Sequence, residues 1–350
     1  MELNHNLFMK HWKYVLELIL FLAGLVLFGF VVKFVGAARL AGTFSTLKGT
    51  GWIILFFYPF MCIWDVFAWR MVFGKIWRER LRFPGLFAIR FVGEAVNNIT
   101  PIVDVGGEPL KVVLVFRRFE IPKIIALASV ILSRTALFIG EIIFMIVGLV
   151  VSFFILPLSF EWRVGLTVAV FIFMVFSAFF TFAQKKGLFV TFIQWLDFFQ
   201  FDPALFKRFH IPLQKIDEEI ASFYSHERKS LQSAVFFHTI GWFAGGIEMY
   251  FMLHLLGVHV SLVQAVMMEA LLQLVRTASF FIPGNLGTQE AGLAFFIQLL
   301  GYHPALGVAV SLLKRARQIV WTGIGFAIWG VYQLIHIREN SENKEKDNGN

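Results

Sequence analysis

Charge is scarce in this sequence. Only 15% of its 350 residues are charged and 58% are hydrophobic, whereas a soluble domain is roughly half apolar and about a quarter charged. Cysteine is almost absent as well. Cys62 is the single one, so the chain can form neither an intramolecular disulfide nor a multi-cysteine metal site. These shortages exclude a soluble enzyme, a disordered protein and a disulfide scaffold.

The common motifs of catalytic and nucleotide-binding sites are missing too. The sequence contains no P-loop and no Gly-x-Ser-x-Gly segment. Its histidines lack metal-ligand spacing, and we interpret six of them as surface or interface residues: His210, His226, His238, His254, His259 and His303. We therefore expect no metal ion, no cofactor and no catalytic activity.

Long apolar runs make up most of the chain. Six of them reach the roughly 20 residues that a membrane-spanning helix needs: 14–38, 51–73, 124–156, 164–183, 233–257 and 305–337. The first run is too long for a typical signal peptide, so we interpret it as a retained anchor. An aromatic content of 17% suits interfacial aromatic belts.

The loops between these runs predict the orientation, because cytoplasmic loops carry an excess of Lys and Arg. The loops of one side hold Lys10, Lys13, Lys75, Arg78, Arg80, Arg82, Arg90, Lys185 and Lys186. The other side holds little beyond Arg39, Lys48 and Arg163. Both termini are therefore expected in the cytoplasm. The same rule accounts for the net charge of +8 without a nucleic-acid partner.

Two polar segments complete the domain plan, which is a membrane domain over 1–338 followed by a disordered cytoplasmic tail over 339–350. Within 188–232, four apolar residues recur at helical spacing: Leu213, Ile216, Ile220 and Phe223. This pattern predicts an amphipathic cytoplasmic helix. It lies either on the membrane surface or packed against the protein.

Segments 84–121 and 259–303 are too apolar for loops and too broken for simple spans. Each has a helical half, a Pro/Gly break, a Glu and a second helical half. Non-helical backbone at membrane depth needs protein or a wet cavity around it. We therefore predict two re-entrant hairpins, broken at Pro101 in the first and at Pro283 and Gly284 in the second.

The two hairpins resemble each other. Glu108 lies seven residues after Pro101, as Glu290 does after Pro283. An Arg follows each Glu on a later helix, at Arg134 and Arg315. The Lys/Arg bias predicts that the hairpins enter from opposite sides. The predicted fold is an all-α integral membrane protein with six full spans and two re-entrant hairpins in an inverted repeat, repeat A over 51–153 and repeat B over 233–336.

Charged residues inside the apolar runs are candidates for a substrate site. Each costs about 2.5–3.5 kcal/mol at the bilayer centre, so they must be paired, hydrated or turned inward. The candidate substrate-binding residues are Arg134, Arg276, Arg315, Arg317, Glu108, Glu290, Glu141, Asn97, Asn98, Gly106, Gly107 and Gly287.

Two roles for these residues remain open. Arginine suits bidentate phosphate recognition, and helix N-termini attract anions, which together indicate a phosphate-bearing lipid. Alternatively, the arginines only neutralise the two glutamates and hold the hairpins. Arg315 and Arg317 cannot face one pocket equally, and Lys314 shares a face with Arg317. Asp65 and Arg70 are interpreted as a local polar contact or a snorkelling pair.

At these residues the chain resembles a known family. The segments NNITPIVDVGGEPLKVVLV, SRTALFIGE and IPGNLGTQEAGLAFF are similar to the flippase-like transmembrane domain of lysylphosphatidylglycerol synthases and of stand-alone members such as the hopanoid-biosynthesis-associated group. The resemblance covers roughly residues 10–335. It implies a multi-pass protein of a bacterial or archaeal cytoplasmic membrane that is associated with lipid translocation. The aminoacyl transfer of the synthases belongs to a soluble domain and is not expected here.

The first functional hypothesis is a flippase or scramblase for a phosphate-bearing lipid such as a phospholipid, a polyprenyl phosphate or a glycolipid intermediate. The partners are then an anionic lipid substrate and membrane lipids. The alternatives are an enzyme or enzyme subunit that acts on such a lipid, and a membrane scaffold for a lipid-synthesis enzyme. The sequence shows no energy source, so the membrane potential, a proton passing through the Glu residues or simple equilibration must drive movement.

Overall fold

Helices form the regular structure of the described chain. The computed structural model describes residues 49, 51–100, 106–192, 203–280 and 282–348. In chain order its helices are α1 (Trp52–Met71), α2 (Gly74–Arg78), α3 (Phe83–Asn97), α4 (Glu108–Phe119), α5 (Lys123–Ile155), α6 (Phe160–Lys185), α7 (Pro203–His226), α8 (Arg228–Leu255), α9 (Leu262–Ala278), α10 (Thr288–Leu299) and α11 (Pro304–Asn348). The predicted run at 14–38 and the predicted break at Pro101 lie outside the described residues.

Three of these helices, α1, α5 and α6, are long and apolar enough to cross a membrane. They match the predicted runs 51–73, 124–156 and 164–183. Helix α6 buries little of its surface, and exposed residues such as Phe171 and Phe179 cover it. An apolar exposed helix of this length suits contact with lipid tails. Helices α8 and α11 coincide with the runs 233–257 and 305–337 but carry charged residues in their interiors.

Each broken segment is a pair of packed helices, α3 with α4 and α9 with α10. The second helix of each pair packs on the long helix that follows it, α4 on α5 and α10 on α11. The first helix packs on the long helix of the other half, α3 on α11 and α9 on α5. Helices α1 and α8 also pack against each other.

Small residues allow the two crossed contacts. Gly148 on α5 lies so close to α9 that a Cβ on it would overlap the Cβ of Ala270. Gly325 on α11 lies against the backbone of α3, where a Cβ would overlap Ala95 and the carbonyl of Phe91. Small residues at such crossings bring helix backbones together and increase van der Waals contact in apolar surroundings.

Helix α7 packs against the protein with the apolar face that its spacing predicts. Ile216, Ile220 and Phe223 are buried in one core with residues of α1, α3 and α5. Asp217 on the same helix accepts the backbone N–H groups of Phe189 and Val190 at 3.2 and 2.8 Å. Of the two interpretations of this helix, the described contacts match packing on the protein.

The end of α11 differs from the sequence prediction. Residues 339–348 continue this helix, whereas the polar composition predicted a disordered tail over 339–350. The segment is rich in Glu, Lys and Asn and has neither Pro nor Gly before Gly349. No helix-breaking residue therefore ends the last helix before that point.

Candidate functional site

Side-chain hydrogen bonds join the end of α3 to the start of α4. Asn97, the last residue of α3, accepts the Gly107 N–H at 2.6 Å through Oδ1 and donates to Glu108 Oε1 at 3.1 Å through Nδ2. Gly107 lies directly on the Gly93 carbonyl, where a Cβ would overlap that oxygen. Gly106 lies against the Thr100 side chain in the same way. These glycines therefore serve the close approach of two helix ends.

Glu108 connects this loop to α5. Arg134 donates from Nε to Glu108 Oε1 at 3.0 Å and also contacts the same oxygen through a second guanidinium nitrogen. Lys111 Nζ lies 2.8 Å from that oxygen. Two cations thus share one carboxylate at the start of α4. Arg134 is therefore paired with the Glu108 carboxylate, which matches the hypothesis that the arginines neutralise the two glutamates.

The second loop, between α9 and α10, has an equivalent connection. Arg315 on α11 donates to Glu290 Oε1 at 2.6 Å and to Oε2 at 3.1 Å. It also donates to the carbonyls of Gly284 at 3.1 Å and Asn285 at 3.3 Å. Glu290 in turn accepts the Gly287 N–H at 2.9 Å and caps α10. Because φ is +60° at Gly284 and +85° at Gly287, these two turn positions favour glycine.

A polar cavity of about 180 Å³ lies between α1, α3, α5, α8, α9 and α11. The predicted site residues that line it are Arg134, Arg276, Arg317, Asn97, Asn98 and Gly284. Arg315, Glu108, Glu290, Gly106, Gly107 and Gly287 are not part of its lining. Of the two neighbouring arginines on α11, Arg317 therefore faces the cavity, together with Lys314.

Most of the charged groups in the cavity are paired. Arg317 contacts Glu248, whose side chain is fully buried. Lys314 Nζ lies 2.7 Å from Glu269 Oε2. Asn98 accepts from Gln318 at 2.8 Å and donates to Thr322 at 3.0 Å. Pairing of this kind offsets much of the cost of placing charge away from water.

Arg276, near the end of α9, differs from these groups. Its guanidinium makes no hydrogen bond or ion pair with any residue that the structure describes, and its buried Nε has no partner there. The side chain lines the polar cavity. A cation held near apolar surroundings without a counter-charge attracts an anion strongly.

A second, more apolar cleft of about 380 Å³ opens beside the polar cavity, between α5, α6 and α9. Its lining includes Phe138, Phe176, Phe180 and Phe280. Phe176 is 56% exposed and Phe280 66% exposed, so the cleft reaches the lipid-facing surface. Glu141, the remaining predicted site residue, lines this cleft, where it accepts hydrogen bonds from Gln273 and Thr277 at 2.9 and 2.5 Å.

The cavity and the cleft meet at shared residues. Arg134, Leu137, Arg276 and Asn285 line both. A polar compartment thus adjoins an aromatic compartment that opens sideways, with Arg276 at the junction. An amphiphile with an anionic headgroup and an apolar chain matches this sequence of surroundings.

Sequence reasoning missed a further buried network. His238, interpreted above as a surface or interface residue, is 3% exposed and lies with Nδ1 3.1 Å from Asp65 Oδ1. That interpretation is wrong because His238 lies on the face of α8 that packs against α1. The other oxygen of Asp65 pairs with Arg90, whereas Arg70 donates to the carbonyl of Arg78 at 3.1 Å. The predicted Asp65–Arg70 contact is therefore wrong as well.

The described residues contain no group of three or more His, Cys, Asp or Glu side chains arranged to hold a metal ion. The acidic groups of the site instead face lysine, arginine or hydroxyl partners, as the pairs above show. Arg276, which has no carboxylate partner among the described residues, is the group in the cavity that can bind an anion electrostatically.

An all-helical fold with apolar exposed helices and buried charges defines an integral membrane protein. A match to the family model described as Lysylphosphatidylglycerol synthase TM region covers residues 14–325. The chain belongs to this family. It is also similar to the UPF0104 membrane protein MJ1595 of Methanocaldococcus jannaschii, with 25% identity over 293 residues that cover 79% of this chain and 82% of the relative. No solved structure matches the chain significantly.

Proposed function

We propose that this protein is a flippase-like transporter that moves a phosphate-bearing lipid between membrane leaflets. The observation that carries the proposal is the unpaired Arg276 at the junction of the polar cavity and the aromatic cleft. A headgroup phosphate binds in the cavity against Arg276, while the acyl chains stay in the cleft near Phe176 and Phe280. The lipid crosses without exposing its charge to hydrocarbon, which is the main barrier to unassisted crossing.

The arrangement of the helices supports the wider architecture that we propose. Six spans and two re-entrant hairpins form an inverted repeat, with both termini in the cytoplasm. Packing is reciprocal: the first helix of each hairpin contacts the long helix of the other half, and the second contacts its own. Each hairpin is also held by an Arg–Glu pair, Arg134 with Glu108 and Arg315 with Glu290. Inverted repeats whose broken helices meet around a central site are common in secondary transporters.

The test is lipid movement in reconstituted vesicles. Headgroup-phosphate movement is followed with fluorescent phosphatidylglycerol, whose outer-leaflet fraction is quenched by an impermeant reductant. Arg276→Gln is expected to slow movement about tenfold or more, because a hydrogen bond to a charged group contributes about 1.5–3 kcal/mol. Arg163→Gln is the matched control, since Arg163 is exposed near the start of α6.

The same experiment separates the alternatives. Mass spectrometry of the vesicle lipids should show no chemical change, because we propose no catalytic role. Chemical modification of the lipid would favour an enzyme or an enzyme subunit. Intact protein that binds lipid-synthesis enzymes but moves no labelled lipid would favour a scaffold and contradict the transporter.

A further inference from the structure

A buried imidazole connects three helices beside the polar cavity. His238 on α8 lies between two polar partners: Asp65 Oδ1 on α1 at 3.1 Å from Nδ1, and Ser133 Oγ on α5 at 3.3 Å from Nε2. Ionised Asp65 only accepts hydrogen bonds, so Nδ1 carries a hydrogen. Nε2 of the neutral ring then accepts from the Ser133 hydroxyl.

The same geometry accommodates the protonated ring. When Nε2 gains a proton it becomes a donor, and the Ser133 oxygen can accept that bond because a hydroxyl both donates and accepts. Asp65 then faces a cationic ring and keeps its hydrogen bond from Nδ1. Neither protonation state of His238 leaves a ring nitrogen without a partner.

His238 also lines two adjoining spaces. It lines the polar cavity and a smaller pocket of about 40 Å³, which has room for about three water molecules. Ser133 lines the small pocket but is not part of the larger cavity's lining. His238 therefore borders both the proposed headgroup space and a space of water size.

The charges around His238 make its protonation depend on the contents of the cavity. Three cations and three carboxylates line the small pocket and balance each other: Arg90, Lys111, Arg134, Asp65, Glu94 and Glu108. In the larger cavity Lys314 pairs with Glu269 and Arg317 with Glu248, which leaves Arg276. A proton on His238 in the empty cavity would add a second uncompensated positive charge. An anion against Arg276 removes that repulsion.

We infer that His238 binds a proton when an anionic lipid headgroup enters the polar cavity, so that lipid and proton are carried together. The inference rests on the proposed function and adds the coupled ion to it. The coupling is reciprocal by thermodynamic necessity: an anion in the cavity favours the proton on Nε2, and the proton favours the anion. Mechanistically, one proton enters from water onto Nε2 as the headgroup enters, and it leaves when the headgroup leaves.

The test measures binding and proton uptake on the full-length protein in detergent. The probe is short-chain phosphatidylglycerol, with phosphatidylcholine as a lipid of no net charge. Wild-type protein should bind phosphatidylglycerol at least about fivefold more tightly near pH 5 than near pH 8, within the usual range of coupling between sites. It should take up protons from a weakly buffered solution during binding, and phosphatidylcholine should cause no uptake.

His238→Asn is the decisive variant, because the Asn amide can still donate to Asp65 but carries no proton that titrates in this range. It should bind phosphatidylglycerol with no pH dependence and no proton uptake. His254→Asn is the matched control on the same helix, since His254 lines neither the polar cavity nor the small pocket. Its ring bonds the Tyr250 carbonyl at 3.0 Å and packs edge-on against His259. It should behave like the wild type.

A second variant covers the case in which His238→Asn does not fold. Ser133→Ala leaves the imidazole and Asp65 in place but removes the partner of Nε2 in both protonation states. The bond from the cationic ring is the stronger of the two, so the protonated form loses more and the pH dependence of binding between pH 5 and 8 should shrink. The inference is overturned if wild-type binding is independent of pH, if no protons are taken up, or if either variant keeps the full pH dependence. In those cases lipid movement in vesicles can still support the proposed function. If the wild type neither binds nor moves phosphatidylglycerol at any pH, both proposals fail.

Discussion

The guanidinium of Arg315 contacts both carboxylate oxygens of Glu290, at 2.6 and 3.1 Å, and with its remaining donors it reaches the carbonyls of Gly284 and Asn285. Arg315 thus holds the helix start and the turn before it at the same time. In the first half, Arg134 pairs with Glu108 at the start of α4. Both arginines are committed to carboxylates, so the candidate for binding a headgroup becomes Arg276.

Removing either partner of the Arg315–Glu290 pair should destabilise the protein unequally. Arg315→Gln leaves Glu290 without its counter-charge and two turn carbonyls without the Arg315 donor, so we expect a loss of about 3–5 kcal/mol, as for a broken buried pair. Glu290→Gln should cost less, because Gln can still accept from Arg315 and Ser311. The double variant should be more stable than the sum of the two losses predicts.

Thermal unfolding in detergent measures these differences. Glu161→Gln, which removes an exposed carboxylate in the first turn of α6, is the control and should cost far less stability than Arg315→Gln does. If the two single losses simply add in the double variant, the pair does not hold the second loop.

The crossed contact between α5 and α9 can be tested by exchanging two small residues. Gly148→Ala places a Cβ where it overlaps the Cβ of Ala270, and overpacking of this kind costs about 1–3 kcal/mol. Ala270→Gly in the same chain removes the overlap and should restore most of the stability. Unfolding temperatures of the two single variants and the double variant check the prediction. A double variant no more stable than Gly148→Ala would mean that another contact sets the spacing.

Local sequence patterns predicted the parts of the fold that depend on them. Apolar runs of spanning length predicted α1, α5 and α6. The breaks before Glu108 and Glu290 predicted the helix pairs α3 with α4 and α9 with α10. The spacing from each Glu to its Arg, 26 residues in the first half and 25 in the second, also indicated which charges belong together. These features are local or recur, so periodicity and spacing are enough to find them.

The missed network depends on contacts that no local pattern contains. His238 and Asp65 are 173 residues apart, and Arg317 and Glu248 are 69 apart. Helical periodicity gives the face of one helix but not which other helix packs on it. A single histidine in an apolar run could therefore be assigned only to a surface or an interface, without a partner. Glu248 in the middle of the run 233–257 was a usable signal, because an intramembrane carboxylate needs a partner.

The proposed topology predicts which loops are reachable from outside the cell. Single cysteines replace Arg163, Arg80 and Lys186 in turn, in a Cys62→Ala background. All three replaced positions are exposed, so accessibility depends on the side of the membrane. An impermeant thiol reagent added to intact cells should label the cysteine at 163 and not those at 80 and 186. After the membrane is permeabilised all three should react. Labelling at 80 and 186 alone in intact cells would reverse the orientation.

The roles of the two cavity arginines can be separated by replacing each with lysine. Arg134 lines the cavity, but its guanidinium binds Glu108 together with Lys111. Lysine keeps the charge at this position, so Arg134→Lys should move labelled phosphatidylglycerol within about twofold of the wild-type rate. Arg276 has no carboxylate partner among the described residues, and its planar fork is available to a phosphate. Because a lysine ammonium cannot reproduce bidentate phosphate binding, Arg276→Lys should slow movement about tenfold, with little change in unfolding temperature.

Vesicle transport and thermal unfolding of the same preparations distinguish the outcomes. Suppose that Arg134→Lys moves lipid slowly but unfolds at the normal temperature, while Arg276→Lys moves lipid normally. Arg134 would then be the residue that binds the phosphate. Loss of stability in Arg134→Lys would instead mean that the fork geometry is needed to hold Glu108, and movement per folded molecule should then stay near the wild-type value. The arginine whose replacement slows transport without unfolding the protein is therefore the one that binds the headgroup. Because the Arg276 guanidinium has no partner among the described residues, we predict that this residue is Arg276.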